Sequence, residues 1–187
     1  RGIVIMRDAS ANKCGVISSS YEIIANLMLS EEEFLAHKER YVGDVLRILE
    51  RRARDEAELI FRRHREAGGS FIYTEISDAI SHEINGHYAR LFSFFQRNPE
   101  LCDEPVFQSA ILAHLPAMLR EPQYQGRLER LPAKCRYAIL AAEIASSLVY
   151  RGDQEADFKE MIKGHLSRNF ARPEELTRAV TAASYIQ

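Results

Sequence analysis

Three consecutive hydroxyls, Ser18, Ser19 and Ser20, lie within Asp8-Ala9-Ser10-Ala11-Asn12-Lys13-Cys14-Gly15-Val16-Ile17-Ser18-Ser19-Ser20-Tyr21-Glu22. The run Ile3-Val4-Ile5-Met6 before them is short, continuous and apolar, as in a buried parallel strand. After it, Val16, Ile23, Ile24, Leu27 and Met28 recur at helical spacing. The pattern predicts a strand, a polar loop, a close passage at Gly15 and a helix with the serines on its first turn. At the carboxyl edge of an α/β sheet, a helix N-terminus with free N–H groups and added hydroxyls suits an anion or a carboxylate. Serines at a helix start serve equally well as caps, and the local pattern leaves both roles open.

Other chemistry-bearing residues carry less. His82-Glu83-Ile84-Asn85-Gly86-His87 invites comparison with zinc proteases, but the two histidines are five apart. At about 100° per residue they point some 140° away from each other, so one metal ion cannot take both, and no metal site is expected. Cys14, Cys102 and Cys135 are odd in number and widely spaced, which gives neither a disulfide framework nor a zinc pattern and points to a reducing cytoplasm. No G-x-G-x-x-G occurs, so the dinucleotide fingerprint is absent from this sequence.

The elements that must position these residues read as helices. Ser30-Glu31-Glu32-Glu33 is a capping box that opens a helix. From Val42, the positions Val45, Leu46, Leu49, Ala53, Ala57, Ile60 and Phe61 continue a long amphipathic helix that Gly68-Gly69 ends. Its other face carries Arg51, Arg52, Arg54, Arg62, Arg63 and Arg65 among Asp55, Glu56, Glu58 and Glu66, a solvated and internally paired face. Phe71-Ile72-Tyr73 reads as a short extended link, with Thr74 or Ser77 capping a helix through Ile80, Ile84, Tyr88, Leu91 and Phe95. Asn98-Pro99 breaks it, and Asp103-Glu104-Pro105 starts another that Pro116 kinks or ends. Pro132 opens a helix apolar nearly all round, from Ile139 to Val149, which belongs at the centre of a bundle and stops at Gly152. Two amphipathic segments, Asp153 to Phe170 and Pro173 to Ile186, complete the chain.

With 25 basic and 27 acidic side chains and a net charge of −2, nothing global favours nucleic acid or an anionic membrane. The apolar runs are too short to span a bilayer. A lone strand cannot satisfy its edges, so the chain reads as a piece of something longer, entering at the last strand of a sheet it does not contain. The expected fold is mainly α. Residues 1–29 are the end of a Rossmann-type dinucleotide-binding domain that is otherwise absent (last strand, loop and serine helix), and 30–187 are a C-terminal helical region.

The segment A-N-K-C-G-V-I-S-S-S-Y-E resembles the glutamate dehydrogenase pattern A-N-A-G-G-V-x-x-S-x-x-E. It is more similar still to the large NAD-specific enzymes, which carry D-A-S-A-N-K-x-G-V-x-S-S-S-x-E. The resemblance continues through Tyr41-Val42, Ala53 to Arg65, Ile76-Ser77 and Leu148-Val149-Tyr150-Arg151-Gly152, and fades beyond residue 153. It implies reversible oxidative deamination of glutamate to 2-oxoglutarate and ammonia, with NAD taking the hydride. Ser19 aligns with the serine that binds the substrate's distal carboxylate, and Val16 with the apolar residue against its methylenes. Asn12 aligns with the asparagine near the nicotinamide and the α-carboxylate. Cys14 stands where the common pattern has glycine; Lys13 agrees with the large type.

The family's catalytic lysines and aspartate come from an upstream domain, and no catalytic residue is expected in this chain. The isolated piece is therefore expected to be inactive and to bind no NAD by itself. The cysteine usage makes the cytoplasm the expected location, and the resemblance implies a homo-oligomer in the parent enzyme. The alternative function is a non-catalytic helical interaction or oligomerisation module.

Overall fold

Helix propensity, caps and apolar periodicity agree along most of the chain, and the computed structural model is mainly α-helical. It describes residues 4–6, 13–152 and 162. Six α-helices occur among them: α1 (Lys13–Met28), α2 (Glu31–Glu66), α3 (Tyr73–Arg97), α4 (Pro105–His114), α5 (Pro122–Gln125) and α6 (Ala133–Arg151). Single 3-10 turns at Pro99–Asp103, Ala117–Arg120 and Leu128–Arg130 connect them.

Among the described residues there is no strand. Val4, Ile5 and Met6, expected as the core of one, are unpaired, and Val4 and Ile5 are exposed. A strand exists only through hydrogen bonds to a neighbour, and no second strand lies beside them among the described residues. The segments expected from Asp153 to Phe170 and from Pro173 to Ile186 lie outside the described residues, apart from Ile162, which is buried.

The described residues fall into two compact units: those up to Glu83 together with Pro116–Arg130, and Ile84–Leu115 together with those from Leu131 onward. In the first unit, α1 turns Tyr21, Ile24, Ala25 and Met28 inward against α2. Ile23, expected with them, is on the opposite side and exposed. The Ser30 box forms in full: the Ser30 hydroxyl accepts the Glu33 N–H, and the Glu33 carboxylate accepts the Ser30 N–H at 2.9 Å. The helix it opens runs 36 residues without a break. Its end is a change of backbone hand at Gly68 and Gly69, with φ of 60° and 78°.

The arginine face of α2 is less self-contained than its spacing implies. Arg54 pairs with Glu50 one turn away, but Arg63 forks onto Glu83 of α3 at 2.8 and 2.7 Å. The link to α3 also differs. Tyr73 is already helical, the Ile72 N–H donates to the Glu75 carboxylate, and Ser77 is buried within the helix rather than capping it. Glutamate three residues on answers an orphan N–H as well as a hydroxyl cap would.

In the second unit, Leu91 and Phe95 of α3 and Phe107 and Ile111 of α4 are buried with Ile144, Ala145, Leu148 and Val149 of α6. The Phe95 and Phe107 rings meet edge to face at 5.4 Å. Pro105 stands at the first turn of α4, and Gly152, at φ 81°, ends α6 by donating to the Leu148 and Val149 carbonyls. Two polar side chains on α6 form pairs: Glu143 with His114 at 2.7 Å and Arg136 with Asp103 at 2.8 Å.

Candidate functional site: the serine helix

In an α-helix the first four N–H groups lack an internal partner. With α1 already helical at Lys13, Ser18, Ser19 and Ser20 sit beyond that turn, inside the ladder. They are therefore on the second turn, a correction to the expectation that they flank free N–H donors. Their hydroxyls behave as helix-interior hydroxyls do: Ser18 Oγ donates to the Gly15 carbonyl at 2.8 Å and Ser19 Oγ to the same oxygen at 3.3 Å.

The outward face of α1 carries Gly15, Ser19, Glu22, Ile23 and Asn26, all exposed and all at helical spacing. A Cβ built on Gly15 meets nothing within 4 Å, so among the described residues that side of the glycine is open. Ser18 is half-buried at the flank of the face. The Val16 side chain and the whole of Asn12 lie outside the described residues, so of the expected site it is Ser19 whose side chain can be placed. His82 and His87 stand on the unbroken helix α3, five residues apart. Among the described residues there is no cluster of three or more side chains able to hold a metal ion.

Sequence reasoning missed the groups that hold this helix in place. The Tyr41 hydroxyl, buried, donates to the Tyr21 carbonyl at 2.6 Å, and its ring meets Phe34 edge to face at 5.7 Å. Burial pushes the Tyr41 phenol well above its ordinary pKa, so it remains a donor at neutral pH. At the far end of α1, one Arg127 nitrogen donates to the Met28 carbonyl at 2.9 Å and to Glu33 Oε2 at 2.7 Å. Its other nitrogen reaches Glu33 Oε1 at 2.7 Å, which completes a bidentate fork. The Arg127 guanidinium and the Ser30 N–H together hold the Glu33 carboxyl down at about 2.

Asp44 is among the buried polar groups of the described residues. On the inner side of α2, it accepts the Met118 N–H at 2.7 Å and pairs with Arg47. The signal was available in outline, because Asp44 occupies a core-facing position between Tyr41 and Val45. Its partner, 74 residues away, was not.

The adjacent glycines of positive φ, Gly68 and Gly69, follow the end of α2.

The fold and this helix define a mainly α-helical segment with a serine-bearing outer helix, and comparison with known proteins gives it relatives. It is 33% identical over 163 residues to a probable NAD-specific glutamate dehydrogenase of Schizosaccharomyces pombe, which covers 80% of this chain and 14% of that protein. Glutamate dehydrogenase 2 of Dictyostelium discoideum is 32% identical over 163 residues, covering 81% of this chain and 15% of that protein. The NAD-specific glutamate dehydrogenase of Neurospora crassa is 30% identical over 162 residues, covering 80% and 15%. The chain is thus similar, over most of its length, to part of the large NAD-specific glutamate dehydrogenases. It spans about one seventh of the length of these curated relatives. No family model and no solved structure matches it.

Proposed function

We propose that this chain is a C-terminal portion of an NAD-dependent glutamate dehydrogenase and supplies one wall of its glutamate site, together with the helices that support that wall. The supporting observation is similarity to three such enzymes across four-fifths of the chain, combined with the serine motif on a helix face that the chain's own packing leaves exposed. On this reading, Ser19 donates to the distal carboxylate of glutamate. A hydroxyl rotates freely about its C–O bond, so the long 3.3 Å bond to Gly15 is exchanged for a charge-assisted one. Val16 packs against the substrate methylenes, and Asn12 serves the cofactor side. The bare backbone at Gly15 leaves room for the ligand beside Ser19.

NAD accepts the hydride in that reaction, and its binding belongs to the remainder of the parent polypeptide. So do the groups that move protons, because the chain has neither the fingerprint nor the family's lysine motifs. Residues 1–29 are read as the end of the dinucleotide-binding domain and 30–187 as the helical region behind it. The test is spectrophotometric. The full-length polypeptide should form NADH from NAD only when glutamate is present, and the 187-residue chain should form none. A full-length protein without glutamate-dependent NADH formation would overturn the reading.

One observation favours a second reading, a helical interaction module. Leu35, Val42 and Leu46 of α2 are 62%, 41% and 59% exposed and lie seven and four residues apart on one side of the helix. Sedimentation of the chain over a hundredfold concentration range, with and without Leu46→Lys, tests it. Concentration-independent mass would remove that reading.

A further inference from the structure

We infer that Tyr41 and Arg127 are positioning residues for the substrate site, setting the placement of Ser19 by gripping the helix that carries it. The inference rests on the proposed role of Ser19. An outward-facing hydroxyl cannot place itself; its position is that of its helix. Helix α1 is held by apolar burial along its inner face, whose packing sets the seat of the helix and leaves its fine axial and rotational placement to be trimmed. Directional bonds set those degrees of freedom.

Two such bonds exist at the two ends of the inner face. The Tyr41 hydroxyl binds the carbonyl of Tyr21, two residues beyond Ser19, although that carbonyl already lies within a helical ladder. The bond is a second, external donation at 2.6 Å, and it locks rotation about the axis at the level of the serines. Arg127 binds the Met28 carbonyl, an orphan acceptor at the helix end, while its fork holds the Glu33 carboxylate that caps α2. A planar guanidinium bound at three points fixes the axial position of α1 against the start of α2. Neither residue is near enough in sequence to be read as part of the serine motif.

The experiment uses the full-length polypeptide with Tyr41→Phe, Ser19→Ala and the double variant, with glutamate and norvaline as substrates. Tyr41→Phe keeps the ring that packs on Phe34 and removes only the hydroxyl. Loss of one neutral hydrogen bond should lower kcat/KM for glutamate roughly 2- to 10-fold and narrow the preference for glutamate over norvaline, with KM for NAD unchanged. In the Ser19→Ala background, Tyr41→Phe should not alter the preference further. If Ser19→Ala narrows the preference and Tyr41→Phe leaves it at the wild-type value, the positioning inference is overturned while the site reading stands. If Ser19→Ala itself leaves the preference unaltered, the site reading fails, and the Tyr41 inference with it. Hydrogen exchange on the 187-residue chain gives a readout independent of catalysis. Tyr41→Phe should speed exchange of the α1 amides several-fold more than those of α6, and equal effects would overturn the inference. Should Tyr41→Phe fail to fold, Arg127→Lys, which keeps the charge and breaks the fork, takes its place with the same expected outcomes.

Discussion

The Asp44 carboxylate, buried in the middle of α2, accepts the backbone N–H of Met118 at 2.7 Å across 74 residues of chain. Met118 lies in the 3-10 turn Ala117–Arg120, whose start at Pro116 has no side-chain cap of its own. Asp44 therefore supplies the missing acceptor from another element, and it joins α2 to the returning segment within the first unit. Asp44→Ala leaves that buried N–H without its acceptor, at a cost of about 1–3 kcal/mol. The melting temperature should fall by roughly 3–10 °C in a domain of this size. Asp44→Asn, which retains an acceptor oxygen, should lose less. Differential scanning calorimetry of the two variants checks the order.

Ser19→Ala should leave the chain as stable as wild type or slightly more stable. The residue is exposed on the second helical turn, its hydroxyl bonds back to its own helix, and alanine is the better helix former. In the full-length polypeptide the same change should lower kcat/KM for glutamate by about 10- to 150-fold, the equivalent of about 1.5–3 kcal/mol for a bond to a charged group. Binding of NAD should be nearly unchanged. Unaltered melting together with impaired glutamate kinetics is the expected signature. Impaired melting with normal kinetics would remove Ser19 from the site.

Glu33 gives a pH dependence of definite sign. Its folded carboxyl titrates at about 2, first because of the Arg127 hydrogen bonds and then because of the Ser30 N–H, against an ordinary value of 4.5. A depressed carboxyl binds its proton more readily unfolded than folded. Its contribution to stability is therefore complete above about 4.5 and is lost as pH falls from there through about 2. Carbon-detected NMR titration should place the wild-type Glu33 midpoint well below those of exposed glutamates. In Arg127→Gln it should move upward, and an unmoved midpoint would show that the fork is not formed in solution.

Cys102 should be chemically silent. It is fully buried, and burial raises its thiol to about 11, so almost no thiolate exists at pH 8. In native protein, iodoacetamide should leave Cys102 unmodified by peptide mass spectrometry while half-buried Cys135 reacts over the same hours. Equal labelling of the two would mean that the Pro99–Asp103 turn opens readily.

Helix identity was legible in the sequence because its causes are local. The Ser30 box, the glycine stop at Gly68-Gly69, Pro105 at the first turn of α4 and the left-handed Gly152 each act within a few residues, and each forms as its chemistry requires. The strand expected at Ile3–Met6 is not seen among the described residues, since a strand is a relation between two segments and apolar composition cannot supply the second. Sequence also singled out Ser19, but as a residue type within a motif and on the wrong turn of its helix. Only the tertiary structure decided what surrounds that helix. The pairings of Tyr41 with Tyr21, Arg127 with Met28 and Glu33, and Asp44 with Met118 span 20 to 99 residues. Which donor meets which acceptor at that separation depends on how whole helices dock, and docking depends on the combined shape of their buried faces.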